Sequence, residues 1–563
     1  MSLTATSTES FVLPRLKATV KIGPDTPGGD PHRLYDVKFF PYHTAPEAEP
    51  VFAVVNLESV VICRLSRADE NVVSILNVFA QENVVDDGAS DTLNSCVWCF
   101  IDQSEPLLAV AGDTGQLKII NAITGRLFTT LVGHGHVTIN DLATHPIYPW
   151  IVASASMDTS IRIWDLRRWS EPHESACIII CGHGHGHKEG VLTVSWHDRG
   201  RYLISGGHDH RVCVWTIPDL DADSSFWREI SKDHRKRSSD EVRVIHYPHF
   251  VTSAVHTNYV DCVRFFGDSV ISKAAEEDKV VLWKITGFNS REPIPGTMTA
   301  PKTNEYLDTR NGFVRTLTSS KDGVSKIEIA KQYRDRPAYE RCLEFDAPFT
   351  QPFYMRFGLL TPSLDYPDLH PILACGNTRS QIHFWDLERL EVGHAGGLDD
   401  RGVDGFRVPA KKKKAYEKKG VASRINNPLD RLGRLNPGNS SVRDTASSPS
   451  SSRRSSSIGT FDSAALQRQS STGATSHTSE LLATIEAPMP DRAKYAIHDP
   501  HKRLRPHREV TLSEFNTKYT RFTTRAVDWS PCGQWCVAVG ESAGGVGLIT
   551  VLQRWGQQGQ IGI

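Results

Sequence analysis

Residues 151–166 read IVASASMDTSIRIWDL, two alternating runs flanking the polar turn MDTS, the second run ending in Trp164. A period of two is the pattern of a strand whose faces meet different surroundings, and two such runs across a tight turn make a hairpin. The unit recurs. RYLISGGHDHRVCVWTI at 201–217, SVISKAAEEDKVVLWKI at 269–285 and PILACGNTRSQIHFWDL at 371–387 repeat it, with Trp215, Trp283 and Trp385 in the place of Trp164. Looser copies lie at 51–65, 107–125 and 535–552, giving seven in all. Each is preceded by another short alternating segment, at Val37, Ser95, Ile139, Val191, Val260, Phe353 and Arg525. With the strand expected after each Trp, every unit has four strands.

The dipeptides Gly133-His134 and Gly182-His183, with Trp164-Asp165 and Trp385-Asp386, resemble the WD40 repeat family, whose units are blades of a β-propeller. The expected fold is therefore all-β, a seven-bladed WD40 β-propeller over residues 34–555, between a flexible N-terminal tail (1–33) and a C-terminal tail (556–563). The widening gaps between successive Trp residues place inter-blade insertions at 218–243, 287–339 and 391–480. The last holds KKKK at 411–414 and a Ser-rich tract with almost no apolar periodicity, a composition that cannot offset chain entropy by burial and is expected to be disordered. Within the ring, His134, Ser154, Asp158 and Trp164 match the family's structural hydrogen-bonded tetrad. Ser205, Asp209 and Trp215, with His185 or His187, match the next.

Composition narrows the function. With 64 Lys+Arg against 65 Asp+Glu, the net charge of -1 gives no bulk attraction to nucleic acid or anionic membrane. Eleven Cys are too sparse for a disulfide scaffold, the opening MSLTATSTES lacks the order of a secretory signal, and no apolar run approaches the ~18 residues of a span. An intracellular, soluble protein without membrane contact is expected. Gly540-Glu541-Ser542-Ala543-Gly544 has the spacing of a nucleophile elbow, but an alternating strand follows it and no His does, so a hairpin turn is the better reading. Cys181, His183, His185 and His187 have zinc-ligand chemistry without a second ligand pair, so no metal is expected. Phosphate-binding glycine loops are missing as well. The chain reads as a non-enzyme with no cofactor. Residues 411–414, with Lys418, Lys419 and Arg424, read as a nuclear-localisation signal. Arg453-Arg454-Ser455 suits a basophilic kinase.

Several longer runs carry a closer resemblance: LLAVAGDTGQLKIINAITG from Leu107, Gly133-His134-Gly135 leading to Ile139-Asn140-Asp141-Leu142, NYVDCVRFFGD from Asn258, and FYMRF from Phe353. They are similar to the embryonic ectoderm development/extra sex combs family of WD40 subunits of polycomb repressive complex 2. The resemblance implies a nuclear, non-catalytic subunit that reads trimethyl-lysine on the histone H3 tail. It also implies scaffolding and allosteric stimulation of the catalytic subunit of a histone methyltransferase, a helical segment of which lies in a groove of the propeller. A zinc-finger VEFS-type subunit and the nucleosome are further implied partners. Carried over by position, Phe39 and Tyr354 match rings of the methyl-lysine cage and Phe353 replaces a Trp beside the lysine stem. Asn94 stands where animal members have a third ring, a gap that Phe40 or Tyr42 would have to fill. Tyr259, Asp261, Arg525 and Asn140 match positions on the histone peptide path. Two alternatives remain: a cullin–RING substrate receptor using Trp164-Asp165-Leu166-Arg167, and a propeller scaffold without mark reading.

Overall fold

The computed structural model describes residues 12–22, 33–42, 49–67, 71–80, 92–101, 105–169, 176–182, 184–220, 242–302, 308–319, 325–391, 500–512, 521–542 and 545–554. Seven antiparallel sheets follow one another along the chain as blades. Blade 1 is built from Leu34–Phe39, Val51–Asn56, Ser59–Leu65 and Val73–Ala80, and blade 2 from Leu93–Cys99, Leu107–Gly112, Leu117–Asn121 and Leu127–Leu131. Blade 3 comprises Ile139–Thr144, Ile151–Ser156, Ile161–Asp165 and Cys177–Cys181; blade 4 comprises Val191–Trp196, Tyr202–Gly207, Val212–Thr216 and Phe250–Thr252. Blade 5 has Val260–Phe266, Ser269–Ala274, Lys279–Ile285 and Tyr339–Asp346; blade 6 has Gly358–Leu360, Ile372–Gly376, Gln381–Asp386 and Arg508–Thr511. Blade 7 is Phe522–Trp529, Trp535–Ser542 and Gly547–Gln553, and its fourth strand is Arg15–Ile22 from the other end of the chain.

That last pairing corrects the reading of 1–33 as a flexible tail. RLKATVKI alternates in sequence, Ala18, Val20 and Ile22 pack into the core shared by blades 7 and 1, and its register with Gly547–Gln553 closes the ring by hydrogen bonds between the two ends of the chain. A blade-7 sheet lacking this strand would present an unpaired edge along Gly547–Gln553.

The insertions are corrected too. Each lies inside a blade, between its third and fourth strands, in blades 4, 5 and 6 respectively. The stretch of chain between the third and fourth strands of each of these blades also gives a strand to the blade before it. Arg243–Ile245 pairs in parallel with Cys177–Cys181 of blade 3, Thr309–Asn311 pairs with Phe250–Thr252 of blade 4, and Arg503–Leu504 pairs in parallel with Tyr339–Asp346 of blade 5. The physical effect is to satisfy an outer edge that would otherwise expose its N–H and C=O groups. The 287–339 segment further carries a hairpin, Arg315–Ser319 with Ser325–Ile329. Residues 392–499 and 555–563, with the lysine run, the Ser-rich tract and the C-terminal tail expected from sequence, lie outside the described residues.

The core sits between blades. Trp164, Trp215, Trp283, Trp385 and Trp535 are fully buried, and the apolar clusters each join strands of neighbouring blades. Three polar tetrads tie this core to the turns. In blade 3, His134 Nδ1 lies 2.7 Å from Asp158, its Nε2 2.7 Å from Ser154 Oγ, and Trp164 Nε1 donates to the same Oγ at 2.8 Å. The indole donates to the hydroxyl, and with the imidazole neutral and its proton on Nδ1, facing the carboxylate, the hydroxyl donates in turn to Nε2. Burial, the largest influence, holds the His134 pKa below its ordinary value, consistent with that neutral form. In blade 4 the histidine is His187, 2.9 Å from Asp209 and 2.8 Å from Ser205, while Trp215 donates to Ser205. Blade 5 holds a third tetrad that the sequence did not reveal: His256, Glu277, Ser272 and Trp283. Glu in place of Asp, and a His without a preceding Gly, hid it.

Candidate functional site

Six of the seven inner strands skip one residue in their pairing near their start. The skipped residues are Tyr35, Asn94, Asn140, Leu192, Asp261 and Arg525. A bulge leaves its extra residue out of the ladder and re-aims the side chain. Repeated at the same level around a ring, it sets side chains around one mouth of the central channel. Four of the residues expected at the site, Asn94, Asn140, Asp261 and Arg525, occupy this position.

Phe39 does not. It lies four residues further along the same strand as Tyr35, roughly 13 Å at the strand rise. It is 4% exposed, packed on Phe52 at 5.4 Å, with its N–H donated to Asp528 at 2.7 Å. It is a core ring between blades 7 and 1. Tyr35 is the blade-1 residue at the mouth, its ring edge-on to Tyr354 at 6.4 Å. The signal was available: Leu34-Tyr35-Asp36-Val37 falls in register with Leu93-Asn94-Ser95-Cys96, so the position before Asp36 corresponds to Asn94. Phe40 and Tyr42 cannot replace the missing ring, because they pack with Trp98 and Phe100 beyond Phe39.

Tyr354 is the best-held group of the site. The segment from Phe353, expected to open as a strand, turns first, and pairing begins only at Gly358. Tyr354 has φ 68°, a left-handed conformation that is strained for a bulky residue and persists only where its surroundings over-determine it. They do. Its N–H donates to Asp261 at 3.0 Å, its hydroxyl donates to the Asn140 carbonyl, and Arg356 donates to the phenol oxygen at 2.9 Å. The Arg356 guanidinium also lies over one ring face, 4.5 Å from the centroid. Burial pushes the Tyr354 phenol well above its ordinary pKa, so the ring is neutral.

Arg356 anchors this arrangement from beneath. It donates to the Asn140 carbonyl at 2.7 Å and pairs with Asp141 at 2.9 Å and with Asp36 at 3.6 Å, all three side chains being buried. Burial works against its charge, but Asp141, Tyr354 and Asp36 outweigh it and raise its pKa. Asp261, likewise buried, is paired with Lys273 at 3.0 Å. Asp261 and Asn140, expected along a peptide path, therefore hold Tyr354 from below. Arg525 is shared between the Phe353 carbonyl at 3.1 Å and Glu541 at 2.6 Å, and Glu541 is also held by Arg33. Phe353 and Tyr259 are the large rings that face solvent, at 39% and 41% exposure. Between them stands His208, 5.7 Å from Phe353 and 4.7 Å from Tyr259. The result is a file of rings across the mouth: Tyr35, Tyr354, Phe353, His208 and Tyr259.

Other candidate chemistry resolves into structure. Ser542 closes a turn, its N–H donating to Val546 and its carbonyl accepting from Gly545. Both ring nitrogens of His187 are engaged in the tetrad, and Cys181 is buried with its thiol pushed up by burial. Arg167 folds back on Asp165 with two hydrogen bonds at 3.0 and 2.8 Å and stacks on Trp150, so the arginine of the Trp-Asp-x-Arg sequence is engaged within its own blade. Among the described residues, no helix is long and apolar enough to cross a membrane.

Fold and mouth together define a WD40 propeller with a file of aromatic rings across one mouth. The WD domain, G-beta repeat model matches residues 125–165 and 177–216. Polycomb protein EED of Chaetomium thermophilum is 32% identical over 94% of this chain and 92% of its own length, and Polycomb protein esc of Drosophila melanogaster is 29% identical over 54% of this chain and 60% of its length. The chain belongs to the Polycomb EED family. Among solved structures, the Chaetomium thermophilum polycomb repressive complex 2 matches over 97% of this chain and 99% of that one, at 30% identity and a TM-score of 0.64. The ctPRC2 complex with trimethylated histone H3 (H3K27me3) matches over 98% and 99%, at 29% identity and a TM-score of 0.64.

Proposed function

We infer that this protein is the non-catalytic, mark-reading subunit of a polycomb repressive complex 2-type histone methyltransferase, with trimethyl-lysine of histone H3 received between Tyr35, Tyr354 and Phe353. The observation that carries it is the fixed Tyr354 ring: one face is covered by Arg356, and the rest of the ring meets Tyr35 and Phe353. A trimethylammonium has no N–H to donate, so aromatic faces, with their negative quadrupole, replace its hydration better than hydrogen-bond acceptors do. The catalytic subunit supplies the chemistry, and the propeller supplies a surface for one of its helical segments. A VEFS-type zinc-finger subunit and the nucleosome complete the assembly, which works in the nucleus.

Stimulation requires that the mark stabilise the active arrangement of the enzyme more than the inactive one. Reconstitution of this chain with its catalytic and VEFS-type partners tests it. Trimethylated H3 peptide is expected to raise the methylation rate of nucleosomes, and unmodified peptide is not; equal rates with both would contradict the reading.

Asn94 leaves one side of the site without a ring. Asn94→Tyr is therefore expected to strengthen trimethyl-lysine binding by about 0.5–2 kcal/mol, up to about thirtyfold in Kd. Titration of the variant with the same peptide checks this; an unchanged or weaker Kd would show that position 94 does not face the ligand.

A further inference from the structure

The file of rings does not end where the family's cage ends. Phe353 is the most exposed wall of the site, and its ring meets two others: Tyr354, edge-on at 5.4 Å, and His208, tilted by 34° at 5.7 Å. His208 in turn stands edge-on to Tyr259 at 4.7 Å. It comes from the tight turn after Tyr202–Gly207, where its N–H donates to the Gly190 carbonyl at 2.9 Å and its neighbour Asp209 is fixed by the blade-4 tetrad. The imidazole is thus carried by a rigid turn, while Phe353 is carried by a segment that is not part of any strand.

We propose that His208 is a positioning residue of the methyl-lysine site, bracing Phe353 across the mouth, and that it does so while neutral, so that its protonation opposes reading. The proposal rests on the functional reading above. A neutral imidazole offers an uncharged, polarisable ring to Phe353. An imidazolium places a positive charge beside a wall that receives a permanent cation, and like charges at that range repel. The charged and titratable groups near it are Glu189 from the loop before Val191–Trp196, Asp209 and His210 from its own turn, and Tyr259 from the loop before Val260–Phe266. Asp209 is held down at about 2, with the His187 imidazole chief among the groups that lower it against burial, and stays ionised throughout the relevant range. Burial, the largest influence on His208, moves its pKa below the ordinary 6.5, with His210 acting in the same direction and Glu189 and Asp209 opposing. His208 is accordingly neutral at pH 7.5 and gains its proton only below the usual histidine midpoint.

The test measures Kd for trimethyl-lysine H3 peptide at pH 7.5 and pH 5.0 with the wild-type protein, His208→Phe, His208→Ala and His210→Gln. Wild type and His210→Gln are expected to weaken by about threefold to tenfold at the lower pH. His208→Phe keeps a ring that cannot be charged; it is expected to match wild type at pH 7.5 and to lose the pH dependence. His208→Ala is expected to bind more weakly at both. An unchanged pH slope in His208→Phe, or wild-type affinity in His208→Ala, would overturn the proposal while leaving mark reading intact. No selective binding by wild type at any pH would overturn the functional reading, and the proposal with it. A ligand-free arm follows the His208 ring by NMR: Phe353→Ala is expected to return its titration midpoint toward 6.5, and no shift would overturn the contact itself.

Discussion

Tyr354→Ala is expected to weaken binding of trimethylated H3 peptide by about 2–4 kcal/mol, on the order of 30-fold to 1,000-fold in Kd, the range of a central aromatic hot spot. Two losses combine. The ring itself goes, and with it the edge that faces Tyr35 and Phe353. The hydroxyl that donates to the Asn140 carbonyl and accepts from Arg356 goes too, so the segment from Phe353 to Arg356 loses its tie to blade 3. Tyr354→Phe separates the two: it retains the face and loses only the hydroxyl, with its bonds to the Asn140 carbonyl and to the charged Arg356, and should bind closer to wild type than Tyr354→Ala does. Calorimetric titration of both variants, each shown to unfold cooperatively, decides it. Equal loss in the two would mean that the hydroxyl, not the ring, is what reading needs.

The second large effect concerns stability. Arg356→Leu removes the buried cation shared by Asp141 and Asp36, leaving their carboxylates without it in the protein interior. Asp36 keeps Lys38 at 2.7 Å, whereas Asp141 keeps only hydrogen bonds from Leu142, Val194 and Ser95. Breaking a buried pair from one side typically costs about 3–5 kcal/mol, because the remaining charge stays desolvated and uncompensated. Denaturant unfolding of Arg356→Leu should show a loss of this size. Adding Asp141→Asn should recover part of it, since that removes the orphaned charge; a double variant no more stable than the single one would place the cost elsewhere. The Arg356 network also ties the mouth together: the guanidinium bonds both the Asn140 carbonyl and the Tyr354 phenol, so the position of Tyr354 and propeller stability share one side chain.

The fold was readable because the chemistry that makes a blade is local. Trp164, Trp215 and Trp283 lie within some ten residues of the serines they bond, so each of these hairpins leaves a mark on a short stretch of sequence, even where, as in blade 5, the rest of the tetrad does not. Ring closure was not readable from one unit, since Arg15–Ile22 meets a partner more than five hundred residues away. Its strict alternation was nonetheless a strand signal, overlooked beside the polar residues around it. The insertions were placed between blades because Trp-to-Trp spacing shows only that residues have been added. Their true position, before the fourth strand, depends on which later segment returns to the sheet.

At the mouth, Tyr354, Phe353 and Asn94 were legible through short runs resembling the family, and their part in reading remains the proposal made above. Phe39 was misplaced by four residues, since an aromatic at the end of a strand and one at its bulge look alike without pairing partners. Asp261 and Asn140 are both buried, and what they hold is Tyr354, a contact that no short run of sequence displays. Arg356, which organises the whole mouth, drew no attention in sequence, because a buried arginine is recognised only once Asp36 and Asp141, from two other blades, are seen beside it.

The central claim is that Tyr35, Tyr354 and Phe353 form one trimethyl-lysine site. It is tested most directly by calorimetric titration of the full chain with H3 peptides that differ only in lysine trimethylation, for wild type, Tyr35→Ala and Phe39→Leu. The account predicts selective binding of the trimethylated peptide by wild type, its loss in Tyr35→Ala, and its retention in Phe39→Leu at a cost in stability alone. Binding that ignores methylation, or that survives Tyr35→Ala and is lost in a folded Phe39→Leu protein, would contradict it.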